Sequence, residues 1–401
     1  MPLRFKHLLK GMLPLSPQNK DALASLEDFL DANELSLART LLRQGRAGIF
    51  SSPLHLSSRL YPKASFPSIR PATEDPELGQ LCAGLNNSIK ERIRRKAMRK
   101  ITKDPWVLLE SFANHIIGME PVKKAALLQL FSDEPIHLLL LGDPGTGKTD
   151  ILRATEELAP IASFGLGSGT SGVGLTVMFK GKEMIKGLLP LADQGICCID
   201  ELNLMKEQDY AALYNAMEKG FITYSKGSKN VRLDARVRIL ATANPKGDRF
   251  VGNDVALLKK QMPFDPALLS RFHLVFLIRG PSLKEFKKIS EHIVSGKTHK
   301  ISATEKEVIR EYIEKTLALD IVFPSSLKED VVLIGQQLKK QENDLLIEVS
   351  PRLIHGIVRL ARAHARMHSR SKVKREDVQA VEAILRASMS IKRSTRTPKK
   401  K

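Results

Sequence analysis

The chain has 401 residues, of which 42% are hydrophobic and 27% charged, a composition typical of a soluble globular protein with room for more than one domain. No stretch approaches the roughly 18 consecutive apolar residues that a membrane span requires, and three cysteines, two of them adjacent, exclude a disulfide framework and a CxxC zinc site. The formal net charge of +20 favours polyanionic partners, with nucleic acid first and simple solvation as the alternative.

Residues 1–103 predict a small, basic, mainly helical region with a linker. Apolar spacing predicts helices over residues 21–31 and 33–44, and the Ser and Pro residues of 46–76 predict a linker or irregular arm. A helical rhythm over 78–101 carries a run of Lys and Arg, which is typical of a solvated helix face and otherwise of a phosphate-contacting one. Basic residues interrupt the first leucines, so we expect no export signal and an intracellular protein.

The pattern changes at residue 104. Strand-like apolar runs alternate with helical stretches over 104–281, which predicts an α/β core with a mostly parallel sheet covered by helices. Residues 282–389 are helical in pattern throughout and predict a separate C-terminal lid. The basic residues 390–401 predict a disordered tail.

The strongest motif is a GxxxxGK[ST] phosphate-binding loop between a strand-like run and a helical stretch. Its residues are Gly142, Asp143, Pro144, Gly145, Thr146, Gly147, Lys148 and Thr149. The glycines let successive backbone N–H groups and the next helix N-terminus point at phosphate oxygens. Lys148 would reach the β and γ phosphates of ATP, and Thr149 would ligate Mg²⁺ through its hydroxyl.

Polar residues follow two later strand-like runs. Asp200 and Glu201 end one run, and Asn244 ends another. At the carboxyl edge of a parallel sheet, Asp200 can hold the Mg²⁺ shell and Glu201 can act as general base on the attacking water. Asn244 can orient that water or sense the γ phosphate. The alternatives are a helix cap for the acids and an Asn-Pro turn for the amide.

Two further features suggest contacts beyond the nucleotide. Arg271 precedes another strand-like run and has no obvious acidic partner in sequence, so it is a candidate arginine finger for a neighbouring subunit, with a surface ion pair as the alternative. Residues 221–236 predict a β-hairpin whose polar turn carries Lys226 and Lys229. Lysines at such a tip can bind phosphates independently of base sequence, although an exposed basic turn is the plain alternative.

In this order the motifs resemble the AAA+ ATPase domain of the MCM (minichromosome maintenance) family of replicative helicases. The resemblance covers residues 104–388 and rests on HIIGMEPVKKAALLQLF, GDPGTGKT, ADQGICCIDELNLMKEQDYAALYNAME, ATANPKGDRF, LLSRF and SPRLIHGIVRLARAHARM. It implies an AAA+ P-loop NTPase core with a helical lid and a hexameric ring around DNA, with ATP and Mg²⁺ bound between subunits.

The resemblance also implies roles for individual residues. One subunit would supply Lys148, Thr149, Asp200, Glu201 and Asn244, and its neighbour Arg271 and Arg352. Lys226 matches the DNA-contacting lysine of the family's pre-sensor hairpin. A second hairpin, the helix-2 insert, is expected between residues 174 and 191, with Lys180, Lys182 and Lys186 as candidate DNA contacts.

Two departures from the family pattern affect these expectations. Family members carry an N-terminal OB-fold domain with a zinc module, whereas residues 1–103 contain one cysteine, Cys82, without metal-ligand spacing, so we expect a short form. His273 stands where an aspartate commonly follows the arginine finger, which changes the charge near Arg271.

Three functions compete on this pattern. The first is an ATP-dependent DNA helicase or translocase that acts in replication on single-stranded or forked DNA, as a homo-hexamer or a mixed ring of related subunits. The second is an accessory DNA-binding ATPase subunit without unwinding activity. The third is a MoxR-like or chelatase-like protein-remodelling ATPase, which would need no basic hairpin.

Overall fold

The structure is a computed structural model that describes residues 23–24, 26–52, 66–180, 183–226, 229–247, 249–295 and 301–389. The chain divides into two compact units. One comprises residues 1–107 with 299–308, and the other residues 108–298 with 309–401. The predicted tail over 390–401 lies outside the described residues.

The first unit combines helices with a strand pair. Helix α1 spans Ala32–Arg43, strands β1 (Ala47–Ser52) and β2 (Phe66–Pro71) pair antiparallel, and helix α2 spans Pro76–Lys103. One stripe of α2 is buried at helical spacing, as expected for an amphipathic helix: Leu78, Cys82, Leu85, Ile89, Ile93, Ala97 and Ile101.

The strand pair corrects the prediction of an irregular arm over residues 46–76. Ile49 lies opposite Ile69, and the Ile69 side chain is buried. The Asn86 side chain of α2 accepts a hydrogen bond from the Ile69 N–H and donates one to the Ile69 carbonyl. These strands are stabilised by a long-range partner and a helix, neither of which leaves a local sequence signal.

The remaining elements alternate along the chain. The strands are β3 (Leu138–Gly142), β4 (Ala162–Leu166), β5 (Val177–Lys180), β6 (Glu183–Lys186), β7 (Ile196–Asp200), β8 (Phe221–Lys226), β9 (Lys229–Asp234), β10 (Arg238–Ala243) and β11 (Leu274–Ile278). The helices are α3 (Leu108–Ser111), α4 (Glu120–Leu130), α5 (Lys148–Leu158), α6 (Gly172–Leu175), α7 (Leu188–Leu191), α8 (Tyr210–Lys219), α9 (Val255–Lys260), α10 (Pro266–Leu269), α11 (Leu283–Val294), α12 (Ala303–Leu317), α13 (Lys328–Lys340), α14 (Pro351–Met367) and α15 (Arg375–Met389).

A five-stranded parallel sheet forms the centre of the second unit, in the order β11-β3-β10-β7-β4. Every residue of β3, β7 and β10 is buried, which is the pattern of a parallel sheet covered on both faces. The carboxyl ends of these strands share one edge. The predicted α/β core with a mostly parallel sheet is therefore confirmed.

The C-terminal helices pack on this core. Helices α14 and α15 contact each other and α4, and α15 also contacts β11. Arg366 of α14 is 1% exposed and donates to the Asp133 carboxylate at 2.6 Å. Arg362, one turn earlier, donates to Glu134 at 3.2 Å. Charge-assisted hydrogen bonds thus hold the helical lid against the turn that precedes β3.

The helices in the described part of the chain include none that is long and apolar enough to cross a membrane.

Candidate nucleotide and nucleic-acid sites

The phosphate-binding loop has the backbone geometry that its glycines predict. Gly145 and Gly147 have φ angles of +70° and +81°, which side chains rarely allow. A Cβ on Gly147 would also lie 2.7 Å from the Ile116 Cδ1 atom. Gly147 is the N-cap of α5, and no side chain caps the helix there. Its first N–H groups therefore have no side-chain acceptor at the cap, which suits an anion.

The Lys148 side chain folds back against the phosphate-binding loop that precedes α5. Its Nζ donates to the carbonyls of Gly142 at 2.8 Å and Asp143 at 2.7 Å, and the residue is 7% exposed. Burial lowers the pKa of the Lys148 ammonium to about 8. The negative charges of Asp143, Asp200 and Glu201 oppose that shift. The ammonium is thus partly desolvated and surrounded by negative charge, where phosphate oxygens can replace the two carbonyls.

The Asp143 side chain has a different role from the rest of the loop. Its Oδ1 accepts from the Phe250 N–H and its Oδ2 from the Gly280 N–H, both at 2.9 Å. The carboxylate therefore joins the loop after β3 to the segments after β10 and β11. Thr146 also points inward, since its hydroxyl donates to the Asp143 carbonyl at 2.8 Å. The Asp143 carboxylate is thus committed to hydrogen bonds within the chain.

Asp200 and Glu201 lie at the end of β7. Both are hydrogen-bonded to Thr242, a residue that the sequence analysis did not single out. The Thr242 hydroxyl of β10 donates to the Asp200 Oδ1 and accepts from the Glu201 N–H at 2.9 Å. Glu201 has a φ of +52°, the left-handed region that non-glycine residues rarely adopt. The sequence signal for Thr242 is a polar residue near the end of an otherwise apolar strand.

Asn244 and Thr149 complete this edge of the sheet. Asn244 follows β10, the strand between β3 and β7, and its N–H donates to the Asn203 side chain at 2.9 Å. Thr149 is in the first turn of α5 and is partly exposed. The structure thus brings the loop, the two acids and the amide to the carboxyl ends of three adjacent strands.

Arg271 and Arg352 meet at a separate place. Arg271 follows α10 and Arg352 is in the first turn of α14. Both pair with the Glu218 carboxylate of α8, Arg271 at 3.1 Å and Arg352 at 3.6 Å. Arg352 also donates to the Ser270 carbonyl at 3.0 Å. Glu218 precedes Arg271 by 53 positions, so the acidic partner that is missing from the local sequence is supplied by the fold.

A cleft of about 510 Å³ lies beside this pair. Its lining is rich in basic and histidine side chains and consists of Met217, Glu218, Ser270, His273, Ser350, Pro351, Arg352, His355 and Arg359. Glu218 is the one acidic residue in that lining. Its chemistry therefore suits an anion.

His273 brings no positive charge to the neighbourhood of Arg271, so the predicted change of charge there is the absence of an acidic side chain at this position. Its Nδ1 accepts from the His137 N–H at 3.0 Å, and burial holds its pKa well below the usual range. Burial also lowers the pKa of His137 to about 3. His273 is thus a neutral buried side chain that joins β3 to the segment before β11.

Two hairpins match the predicted positions. Strands β5 and β6 pair antiparallel, and so do β8 and β9, with Lys226 opposite Lys229 next to the turn. The Phe179 and Tyr224 rings lie 5.3 Å apart, so the two hairpins are in contact. Lys180 is exposed.

Not every predicted lysine of these hairpins can be placed. Lys186 is exposed at the end of β6. Lys182 lies outside the described residues, and for Lys226 and Lys229 the structure describes the backbone alone.

Comparison with known proteins points to one family. The MCM P-loop domain model matches residues 91–297, and the MCM AAA-lid domain model matches residues 307–389.

Individual relatives agree with these matches. The chain is 31% identical over 320 residues to the minichromosome maintenance protein MCM of Saccharolobus solfataricus, covering 73% of this chain and 46% of the relative. It is 32% identical over 372 residues to the DNA replication licensing factor mcm7 of Xenopus tropicalis, covering 86% and 49%. The DNA replication licensing factor MCM4 of Arabidopsis thaliana is 29% identical over 357 residues, with 80% and 40% covered. The chain thus spans about half the length of the curated relatives it matches.

Proposed function

Because the chain belongs to the MCM family and carries its nucleotide-binding P-loop domain, we propose that it hydrolyses ATP between the subunits of a ring and couples hydrolysis to movement along DNA. The observation that carries the proposal is the division of the site into two parts. The phosphate loop, the acids and Asn244 share one edge of the sheet, whereas Arg271 and Arg352 converge on Glu218.

In this proposal the first part binds and hydrolyses the nucleotide. The N–H groups at the start of α5 and the Lys148 ammonium bind phosphates. The Thr149 hydroxyl and the Asp200 carboxylate are hard oxygen donors of the kind that Mg²⁺ prefers, and the ion would neutralise phosphate charge there. Glu201 accepts a proton from the attacking water, and Asn244 orients that water.

The second part acts on the nucleotide of the next subunit. Within the described residues, the hydrogen bonds and ion pairs of Arg271 and Arg352 go to Glu218 and to nearby carbonyls and none goes to the phosphate loop. Two arginines beside an anion-suited cleft support a role in stabilising charge on a phosphate that another subunit holds. A head-to-tail interface of this kind closes into a ring when the rotation between neighbouring subunits completes a full circle. The ring would be a homo-hexamer or a mixed ring with related subunits.

DNA is the proposed partner of the two hairpins. The contact between Phe179 and Tyr224 places exposed Lys180 and the tip lysines Lys226 and Lys229 on neighbouring hairpins. Lysines there would bind backbone phosphates of single-stranded or forked DNA without reading bases. The net charge of +20 supports the same partner. We place the protein in the cell with DNA, in replication, as the names of its relatives suggest.

The proposal is tested on a forked duplex with purified protein, Lys148→Ala and Lys226→Ala. Lys148→Ala should abolish ATP turnover because it removes the cation at the phosphates, a loss of roughly a hundredfold or more. Lys226→Ala should keep basal turnover and lose both its stimulation by DNA and strand separation. Lys328→Ala, an exposed lysine on the lid helix α13, is the matched control and should behave as wild type.

Equal loss of basal turnover in Lys148→Ala and Lys226→Ala would contradict the assignment of the hairpin. DNA-stimulated hydrolysis without strand separation would favour the accessory-subunit function. Hydrolysis that no DNA stimulates would favour protein remodelling.

A further inference from the structure

Glu218 occupies a position between the two arginines that the proposed function assigns to a neighbouring nucleotide. It lies near the end of α8, and its two carboxylate oxygens face different partners. Oε2 accepts from the Arg271 Nη2 at 3.1 Å, and Oε1 lies 3.6 Å from the Arg352 Nη2. One carboxylate therefore pairs with both guanidinium groups at once, and the three side chains together keep a net positive charge.

Arg271 is held against its own subunit by more than this pair. Its Nη1 donates to the Ala267 carbonyl at 2.6 Å, and its guanidinium lies over the Tyr214 ring, 4.4 Å from the centroid. Tyr214 is one helical turn before Glu218, so both residues face Arg271 from the same side of α8. The Arg271 side chain is 18% exposed as a result. We call this arrangement, in which the Arg271 guanidinium lies against α8 of its own chain, the retracted arrangement.

The retracted arrangement is incompletely satisfied. The Nε of Arg271 is buried, and the described residues offer it no hydrogen-bond partner. Burial lowers the pKa of Arg352, and the nearby charge of Arg271 lowers it further. The like charges of Arg271 and Arg352 repel each other, and the Glu218 carboxylate offsets part of that repulsion. Its side chain is 47% exposed, within reach of solvent and of a competing anion.

We infer that Glu218 is a positioning residue that holds Arg271 and Arg352 against their own subunit until the triphosphate of a neighbouring subunit displaces it. The inference rests on the proposed function, since it assumes that the two arginines act between subunits. A phosphate offers more negative charge and more acceptor oxygens than a carboxylate, so it outcompetes Glu218 when it enters the cleft. The carboxylate thus sets how readily the arginines reach the nucleotide.

This role predicts a specific kinetic change in Glu218→Gln, which removes the charge and keeps the size. Glu218 is displaced from the arginines both in the ATP complex and in the transition state, so its loss stabilises the two states equally. The KM for ATP therefore falls while kcat stays within about twofold. Two partly exposed ion pairs with the usual small energies correspond to a fall in KM of roughly threefold to tenfold. A residue that only supported the fold would not lower KM.

The experiment measures kcat and KM for ATP in the wild type, Glu218→Gln, Arg271→Ala, the double variant Arg271→Ala/Arg352→Ala and the triple variant Glu218→Gln/Arg271→Ala/Arg352→Ala. Glu207→Gln is the matched control, because Glu207 is an exposed glutamate just before α8. The control should leave both constants unchanged. The triple variant should match Arg271→Ala/Arg352→Ala, since Glu218 acts through those two residues.

Each outcome separates this inference from the function on which it rests. Reduced turnover in Arg271→Ala, with an unchanged or raised KM in Glu218→Gln, overturns the inference and leaves the function in place. A loss of kcat in Glu218→Gln similar to that of Arg271→Ala also overturns it, because Glu218 would then support the active arrangement. Wild-type turnover in Arg271→Ala overturns both.

Discussion

Two regions differ in how they are built. One is the edge of the sheet that carries the phosphate-binding loop, the phosphate-loop edge, and the other is the cleft lined by Glu218 and Arg352, the Glu218 cleft. The first joins a continuous loop to the ends of neighbouring strands, and its helix N-terminus has no side-chain cap. The second joins α8, the segment after α10 and the start of α14, and its arginines are already paired within the chain. The start of α5 thus offers backbone N–H donors without a side-chain cap, whereas Arg271 and Arg352 must exchange the Glu218 carboxylate for another anion before they bind a phosphate.

The largest effect is expected when two inactive variants are mixed, which tests whether the two parts of the site act across an interface between subunits. Glu201→Gln removes the proposed general base and should lower kcat at least a hundredfold, and Arg271→Ala should lower it as well. If the two parts act across an interface, an equal mixture of these subunits contains about a quarter of complete interfaces, which should recover about a quarter of wild-type turnover. ATPase assays over a range of mixing ratios measure the recovery.

A mixture of Glu201→Gln with Lys148→Ala is the control. Both changes affect the same edge, so no subunit of that mixture carries an intact edge and no recovery is expected. Failure of the first mixture to recover, with subunit exchange verified, would show that the arginines serve their own subunit.

The pH dependence of kcat/KM tests whether the Lys148 ammonium binds the phosphates. The Lys148 pKa in the free protein is lowered from 10.5 to about 8, so the binding ammonium is present below that value and is lost as pH rises through it. Because kcat/KM reports the free enzyme, it should fall above pH 8 and approach about a tenfold loss per pH unit. Lys148→Arg, whose guanidinium stays charged, should remove this limb while lowering activity overall.

Persistence of the same alkaline limb in Lys148→Arg would assign it to another group. Protonation of Lys148 would then not limit the binding of ATP at the phosphate-loop edge.

Substitution of Thr242 gives the smallest expected effect and tests how the acids are held. Thr242→Val keeps the shape and removes the hydroxyl that bonds the Asp200 carboxylate and the Glu201 N–H. The buried groups left unpaired should destabilise the fold by about 1–3 kcal/mol and lower kcat several-fold. Thermal unfolding and ATPase assays measure the two effects.

Thr242→Ser keeps the hydroxyl and should retain most of the stability and turnover. A larger loss in Thr242→Ser than in Thr242→Val would show that the methyl packing of Thr242 matters more than its hydrogen bonds to Asp200 and Glu201.

Local chemistry accounts for the parts of the molecule that sequence analysis predicted. The parallel sheet follows from apolar runs separated by helices, and the loop from glycines that require positive φ at 145 and 147. The hairpin over 221–236 follows from its polar turn between strand-like runs. By contrast, β1 and β2 were predicted as irregular because each pairs with a distant strand and Asn86 of α2 bonds the backbone of Ile69 in β2.

The family, the α/β fold and the phosphate-binding loop could all be read from the sequence, because these depend on short-range patterns and backbone preferences. Tertiary structure alone decided that Asp143 holds three segments together, that His273 is neutral, and that Glu218 pairs with Arg271 and Arg352. Each of those facts depends on side chains that are distant in sequence and on the burial that brings them together. The spacing of residues along the chain shows neither which distant side chains meet nor which of them are buried.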